Sequence, residues 1–334
     1  MDSIPTKRVL VTGAAGWLGQ AICRQLLAIG VEVLAADLQE IGGPWQHFLP
    51  MDLCSNPIAD AEAAGPALGI GTISALIHCA GYAHRPVETP EEVKRFYAIN
   101  AEGTRRTVAW AQSQEIQKFL YLSSIAFYDW ASSSDNAPLG EDAPLMGMTA
   151  YAASKLEGEC AVVDSDLDYR VVRLATVFGA GDRANFSKLA RALAKRRFFL
   201  PGAGSARKSV ISVDRAAEWI VRLALLENPK HRLVNLGFAN PPTLAEVCDA
   251  FVQECGFARP PKVSLSLLRP AARVGDLITK KRSDFPLTTS NLRKLTQSTN
   301  VDCSRAAEMI PEVASVDFAG ELRKSADFYQ SLTS

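Results

Sequence analysis

Hydrophobic and polar positions alternate between two periods along the first half of the chain. Arg8-Val-Leu-Val-Thr12 is a short, β-branched apolar run, the signature of a strand with both faces buried. It ends at Gly13-Ala-Ala-Gly16-Trp-Leu-Gly19, and a helical pattern then continues through Ile29. Glu32-Val-Leu-Ala-Ala36 predicts a second strand ending at Asp37, and Phe48-Leu-Pro-Met-Asp52-Leu53 a third strand edge. Ser74-Ala-Leu-Ile-His78-Cys-Ala-Gly81 predicts a fourth strand, apolar and then abruptly small. A long helical pattern covers Pro90 to Gln112, and Lys118-Phe-Leu-Tyr-Leu122 predicts a fifth strand running into Ser123-Ser124.

This rhythm predicts an α/β fold, a Rossmann-type doubly wound parallel sheet. In such sheets ligands bind beyond the carboxyl ends of the strands, and Gly13, Asp37, Ala80 and Ser124 all fall at those ends. A strand, a glycine turn and a helix N-terminus form a site for a pyrophosphate: the glycines let the backbone approach, and the helix end presents N–H groups and positive dipole. The G-x-x-G-x-x-G spacing is one residue longer than the common dinucleotide fingerprint. Asp37, about twenty residues beyond the glycines, is placed to accept from the adenosine ribose hydroxyls and to repel a 2′-phosphate. No arginine follows it, so NAD is expected rather than NADP. Asp37 as a strand-end turn cap is the alternative. Asp52 is placed either to meet the adenine amino group or to make a simple turn. His78 reads as a packed histidine. The cofactor-binding set is expected to comprise Gly13, Ala15, Gly16, Trp17, Leu18, Asp37, Asp52, Leu53, Cys79, Ala80, Gly81, Asn100, Tyr151 and Lys155.

After Gly179 the rhythm changes. Gly179 to Phe186 is glycine-rich, Ser187 to Arg197 predicts a helix with basic residues, and Leu200-Pro-Gly-Ala-Gly204 is a turn leading into Ser209-Val-Ile-Ser-Val213. An amphipathic helix over Asp214–Leu226 and a strand over Arg232–Leu236 are expected to pack back on the first lobe. Beyond Pro241 the chain is helix-prone, broken by Pro260-Pro261, Pro270 and Pro286. The expected division is therefore a cofactor domain over 1–178, with 211–238 packed on it, and a smaller, mainly C-terminal substrate-binding lobe over 179–210 and 239–334. Lys280-Lys-Arg282 reads as a solvated basic loop with some reach toward a diphosphate.

The 334 residues carry 36 Lys and Arg against 36 Asp and Glu, so no broad electrostatic field draws in nucleic acid or an anionic membrane, and neither is expected as a partner. Any phosphate-bearing ligand must be held locally. Seven scattered cysteines with no C-x-x-C pair argue against a disulfide framework and a thiolate metal site, and no metal is expected. With no signal-peptide pattern and no apolar run of membrane-spanning length, a cytoplasmic protein is expected.

Candidate chemistry centres on Tyr151-Ala-Ala-Ser-Lys155. Residues four apart share one helix face, so a phenol and an ammonium meet on one patch. A free tyrosine titrates near roughly pH 10. A cation about 5 Å away, at an effective dielectric of about 20, stabilises the phenolate by roughly 3 kcal/mol. Alone, the spacing is a weak signal, and a solvated helix face is the plain alternative.

Together, Gly13-x-x-Gly16-x-x-Gly19, His78-Cys-Ala-Gly81, Asn100, Ser124 and Tyr151-x-x-x-Lys155 resemble the extended short-chain dehydrogenase/reductases, and more narrowly the nucleoside-diphosphate-sugar epimerase/dehydratase group. Arg173-Leu-Ala-Thr-Val-Phe-Gly179, Leu200-Pro-Gly-Ala-Gly204 with Lys208, and Val213-Asp214 stand where that group has similar segments. The resemblance implies that Ser124 hydrogen-bonds the reacting oxygen, Tyr151 exchanges its proton, and Lys155 lowers the tyrosine pKa while holding the nicotinamide ribose. It implies that Asn100 interrupts helix bonding and helps relay protons, and that Asn185 and Lys208 contact a sugar-nucleotide diphosphate. It also implies a small-molecule substrate and a homodimer. Ser124 as a cap, Asn100 as a solvated position and Lys208 as a surface lysine are the alternatives.

Dehydratases of the group follow the Ser/Thr with an Asp-Glu pair, whereas Ser124 precedes Ile125-Ala126, neither of which moves a proton. An NAD-dependent epimerase or keto-sugar reductase acting on a UDP- or dTDP-sugar is expected. A reductase of a hydrophobic carbonyl, such as a steroid or phenolic aldehyde, is the second reading, and a non-catalytic dinucleotide sensor the third.

Overall fold

Both faces of the central strands are covered. Val9 and Val11 of β1 (Arg8–Thr12) face one apolar cluster and Leu10 the other, which is why the run is continuous rather than alternating. In this computed structural model, residues 7–55, 73–83, 89–131, 137–279 and 287–333 are described. Along the first half β1 is followed by α1 (Trp17–Ala28), β2 (Glu32–Asp37), β3 (His47–Pro50), β4 (Ile73–His78), α2 (Pro90–Tyr97), α3 (Gly103–Ser113), β5 (Lys118–Ser124), α4 (Ala150–Val163) and β6 (Asp168–Leu174). Then come β7 (Thr176–Phe178), α5 (Asn185–Ala194), β8 (Leu200–Pro201), β9 (Val210–Ser212), α6 (Val213–Leu225), β10 (Leu233–Leu236), α7 (Leu244–Cys255), β11 (Lys262–Val263), α8 (Leu265–Thr279) and α9 (Thr289–Thr296).

Among the described residues the main sheet has seven strands in the order β10-β6-β5-β4-β1-β2-β3, every ladder parallel. The chain steps outward from β1 to β3, returns at β4 on the other side of β1, and continues to β10. The crevice beyond β1 and β4 is therefore the topological switch point. Register brings the expected positions to one edge: Thr12 pairs with Ala36 and with His78, and Ser124 pairs with Leu174.

Local chemistry sets most boundaries. The Thr149 hydroxyl accepts from Ala152 N–H at 3.1 Å and starts α4, so Tyr151 falls in its first turn. Thr89 caps α2, with Pro90 in the first turn. Between α2 and α3 the helix opens into a π turn over Ala98–Glu102, centred on Asn100, the interruption that the resemblance implies. Two elements differ from expectation by two residues or more at a boundary. The third strand stops at Pro50, because Asp52 turns the chain by accepting from Cys54 N–H at 2.8 Å. The helix expected from Ser187 starts at Asn185 and ends at Ala194. Asp182 accepts from the N–H groups of Ala184 and Ser187 at one end, and Arg196 takes φ +54° just beyond the other. Lys280 to Arg282 lie outside the described residues.

Candidate functional site

The glycine turn sits in the switch-point crevice, and steric contact explains its composition. Gly13 has φ +68°, and a Cβ there would lie 2.6 Å from Ala80 Cα, while one at Gly19 would lie 2.1 Å from the Gly13 carbonyl. β1, β4 and α1 thus converge closer than any side chain permits. The α1 N-cap is Gly16; no side chain caps this end and no acid lies in its first turn. A helix end of that kind, at the head of a parallel sheet, fits a dinucleotide pyrophosphate. Asp37 ends β2 and reaches the turn: one carboxylate oxygen accepts from Ala15 N–H at 3.0 Å and the other from Leu38 N–H at 2.8 Å. Asp52 makes its turn contact with Cys54, while the Leu53 side chain is buried and its carbonyl accepts from the Arg106 guanidinium.

One expected cofactor residue has a contact that the sequence did not suggest. The Trp17 indole donates to the Ala180 carbonyl at 2.7 Å, and at Gly181, φ +91°, a Cβ would lie 2.7 Å from the indole nitrogen. The first turn of α1 is thereby tied to the glycine-rich segment after β7. His78 is the packed histidine of expectation. Its ring lies between Thr12 Oγ1, 2.8 Å from Nδ1, and Thr104 Oγ1, 3.2 Å from Nε2, and burial pushes its pKa down to about 3. Burial likewise pushes the Cys79 thiol up to about 12, so it is no thiolate.

Ser124 ends β5, and Tyr151 and Lys155 stand one turn apart near the start of α4. Ser124 is buried, Tyr151 is largely buried, and Lys155 is 5% exposed. The Ser124 hydroxyl accepts from Ala126 N–H at 3.1 Å and lies close enough to the Tyr151 phenol to favour its ionised form. The Tyr151 ring is edge-on to Phe96 at 6.2 Å, and Phe96 is edge-on to Tyr82 at 5.0 Å. Burial raises the phenol pKa, and the Ser124 hydroxyl works against that rise. This departs from the expectation that the neighbouring ammonium lowers the phenol pKa. The Lys155 ammonium sits over the Tyr121 ring, 4.1 Å from its centroid, and burial lowers its pKa to about 8. Desolvation therefore outweighs the interactions that favour the charged form of each group.

Asn100 is not a solvated position. Its Oδ1 accepts from Tyr82 N–H at 2.7 Å, and its Nδ2 donates to the Tyr82 carbonyl and to Ser154 Oγ, both at 3.0 Å. It clamps the segment after β4 against α4, one residue from Lys155. At Gly158, a Cβ would lie 2.4 Å from the Asn100 carbonyl, so the π turn and α4 touch backbone to backbone.

Behind the candidate triad lies a buried charged network. Arg173 and Glu159 are each 4% exposed at the side chain and pair at 2.5 Å. Glu159 also accepts from Ser123 Oγ at 2.5 Å, while Arg173 donates to the Tyr128 hydroxyl at 2.8 Å and the Glu141 carbonyl at 2.7 Å. Tyr128 donates in turn to Asn235 Oδ1 at 2.8 Å. Glu159 stands one turn after Lys155, and Ser123 precedes Ser124. The network therefore pins both catalytic candidates' backbones from behind. Its only sequence trace is a pair of charges within otherwise apolar patterns.

The two expected diphosphate donors are placed apart from this cluster and differ from each other. Asn185 is exposed at the start of α5. Lys208 instead donates to the carbonyls of Lys294 at 2.9 Å and Gln297 at 2.5 Å, closing the C-terminal end of α9, and burial pushes its pKa down to about 8. Two of its three donors are thus engaged within the protein.

Gathered at the mouth of a dinucleotide crevice, these groups set the chain among enzymes of the short-chain dehydrogenase/reductase type. A model of the NAD dependent epimerase/dehydratase family matches residues 9–237, and the chain belongs to that family. NAD is accordingly its cofactor. It is 25% identical over 219 residues to the N-acetyl-alpha-D-glucosaminyl-diphospho-ditrans,octacis-undecaprenol 4-epimerase of Escherichia coli O157:H7, which spans 64% of this chain and 61% of the relative. It is 27% identical over 219 residues to the 2-alkyl-3-oxoalkanoate reductase of Stenotrophomonas maltophilia, 63% of each. These matches span about three fifths of the relatives' own length. The Bordetella bronchiseptica enzyme WbmG, solved with NAD and UDP, superposes with a TM-score of 0.73 over 98% of this chain and 96% of that one. At 19% identity that likeness is one of fold.

Asp37 gives a direct prediction. NAD is expected to bind at least about tenfold more tightly than NADP, a difference of about 1.4 kcal/mol, and Asp37→Ala is expected to narrow the gap. Equal affinities in the native protein, by titration calorimetry, would mean that Asp37 does not face the ribose.

Proposed function

We propose that the chain is an NAD-dependent epimerase or keto-sugar reductase acting on a nucleoside-diphosphate sugar, UDP- or dTDP-linked. The observation that carries this reading is the placement of the Ser124 hydroxyl at the end of β5 beside the Tyr151 phenol, one helix turn from the buried Lys155. In the proposed mechanism Ser124 orients the reacting oxygen and Tyr151 exchanges a proton with it. Lys155 holds the nicotinamide ribose and favours the phenolate. When bound, NAD would supply the hydride acceptor for epimerisation, and its reduced form the hydride donor for reduction of a keto sugar, while the charge of the oxidised ring would favour the phenolate. Gly13, Gly16 and the first turn of α1 hold the pyrophosphate, with Asp37 at the ribose. Segments 179–210 and 239–334 form the substrate side in this reading, and the enzyme acts as a cytoplasmic homodimer. Dehydration is set aside, because Ile125 and Ala126 follow Ser124.

The diphosphate part rests on the relatives' chemistry, since one acts on a diphosphate-linked sugar and a solved neighbour holds UDP. Asn185 carries it in this chain, with the one remaining donor of Lys208. A neutral hydrogen bond contributes about 0.5 to 1.5 kcal/mol, so Asn185→Ala is expected to raise KM by several-fold with kcat little changed. A thermal-shift panel of UDP- and dTDP-sugars with NAD present tests the reading. A ligand at a hundred times its dissociation constant stabilises by about 2.7 kcal/mol. A second reading is favoured by the loop before the tyrosine, where Leu145, Met146 and Met148 are 38%, 45% and 69% exposed. If no nucleoside diphosphate shifts the melting temperature and apolar ketones or aldehydes are reduced, a hydrophobic carbonyl is the substrate.

A further inference from the structure

Helix α8 has two apolar faces, and one has no covering within the described residues. Leu268 and Ala272 point inward to a small cluster with Leu292 of α9, separate from the main core. Asp276, the helix's one acid, is turned the same way: its two oxygens accept from Thr289 N–H at 2.9 Å and Thr289 Oγ1 at 2.7 Å. The opposite face carries Leu267, Val274, Leu277 and Ile278 at 68%, 57%, 64% and 38% exposure, with exposed Pro270 and Ala271 between them. At about 100° per residue, positions 267, 271, 274 and 278 fall on one line, with 270 and 277 beside it. Eleven large apolar side chains are exposed among the described residues. Four of them share this face, which scattered surface residues would not do.

The border of the stripe supplies the second observation. Exposed Arg269 and Arg273, one turn apart, lie between one edge of the stripe and inward-turned Asp276, and the stripe itself holds no acid. An aliphatic stripe edged by guanidinium groups is the pattern of a helix lying in the plane of a membrane surface, its apolar side chains among the acyl tails and its arginines at the headgroup phosphates. A protein partner is a poorer match. Protein interfaces concentrate affinity in aromatic anchors set in pockets, and this stripe has no aromatic residue.

We propose that α8 docks the protein on a bilayer containing anionic lipids. The docking is peripheral and reversible, since no helix among the described residues is long and apolar enough to cross a membrane. This departs from the expectation of no membrane partner: a balanced total charge registers long-range fields, and says nothing of an aliphatic line at helical spacing. The inference stands on α8 alone and holds whichever carbonyl or sugar is the substrate.

The test is flotation of the full chain, with NAD, on phosphatidylcholine vesicles with and without phosphatidylglycerol. The native protein is expected to float with the anionic vesicles and to bind neutral ones much less. Val274→Glu with Leu277→Glu is expected to weaken binding at least about tenfold, and Arg269→Glu with Arg273→Glu to remove the preference for anionic lipid. All four positions are exposed, so NAD affinity and melting temperature should stay native. Absence of flotation, or undiminished flotation of the Val274/Leu277 variant, overturns the proposal. So does a native oligomer that the same variant converts to monomer by light scattering, since the stripe would then join copies of the chain.

Discussion

Tyr151→Phe is expected to lower turnover at least about a hundredfold, the usual size of a positioned acid-base contribution, while NAD affinity and melting temperature stay near native. The phenylalanine keeps the ring against Phe96 and removes only the hydroxyl that Ser124 engages. Transition-state stabilisation should fall with ground-state binding unchanged, so kcat and kcat/KM drop together. Ser124→Ala is expected to act in the same direction more weakly. Lys155→Met is expected to reduce turnover and NAD affinity together, because the ammonium serves both phenol and ribose in the proposed mechanism. Tyr151→Phe retaining most activity would remove the tyrosine from the chemistry.

The second large effect is on stability. Arg173→Ala is expected to destabilise the protein by about 3 to 5 kcal/mol, the range for breaking a buried ion pair by removing one partner. Burial works against the guanidinium charge, but the Glu159 carboxylate more than offsets it and holds the Arg173 pKa above its ordinary value. Removing the arginine leaves Glu159 buried with only Ser123 as partner, and leaves the Glu141 carbonyl without its donor. The paired change Arg173→Met with Glu159→Leu is expected to recover much of the loss, because neither charge is then stranded. Urea denaturation of the three proteins checks this. A loss under about 1 kcal/mol for Arg173→Ala would mean that water reaches the pair.

What could be read from the sequence was whatever is local. β1 and β2 begin at the expected residues because both are apolar runs stopped by small or polar residues, and parallel pairing follows from the helices between them. The glycine turn was legible because close backbone approach admits no other residue at Gly13. Tyr151 and Lys155 were legible as a pair because helical spacing alone brings them together. Contacts across the fold were not. Glu159 meets Arg173 across the space between α4 and β6, and Trp17 reaches Ala180 across nearly half the chain. No periodicity encodes either. The surroundings of Lys208 were hidden for a related reason: the sequence shows a lysine near a glycine turn, but not the open end of α9 that receives its ammonium. The outer stripe of α8 was legible in spacing but ambiguous, since only packing shows which apolar face is buried.

Absorbance titration of the phenolate tests the central claim most directly. With NAD bound, the difference spectrum between the native protein and Tyr151→Phe, followed across pH, is expected to show a single phenolate appearing within the neutral range. Without NAD that signal should move to alkaline pH, because burial then raises the Tyr151 pKa. If the NAD complex shows no tyrosine titrating below the ordinary range of about 10, Tyr151 is not the acid-base group.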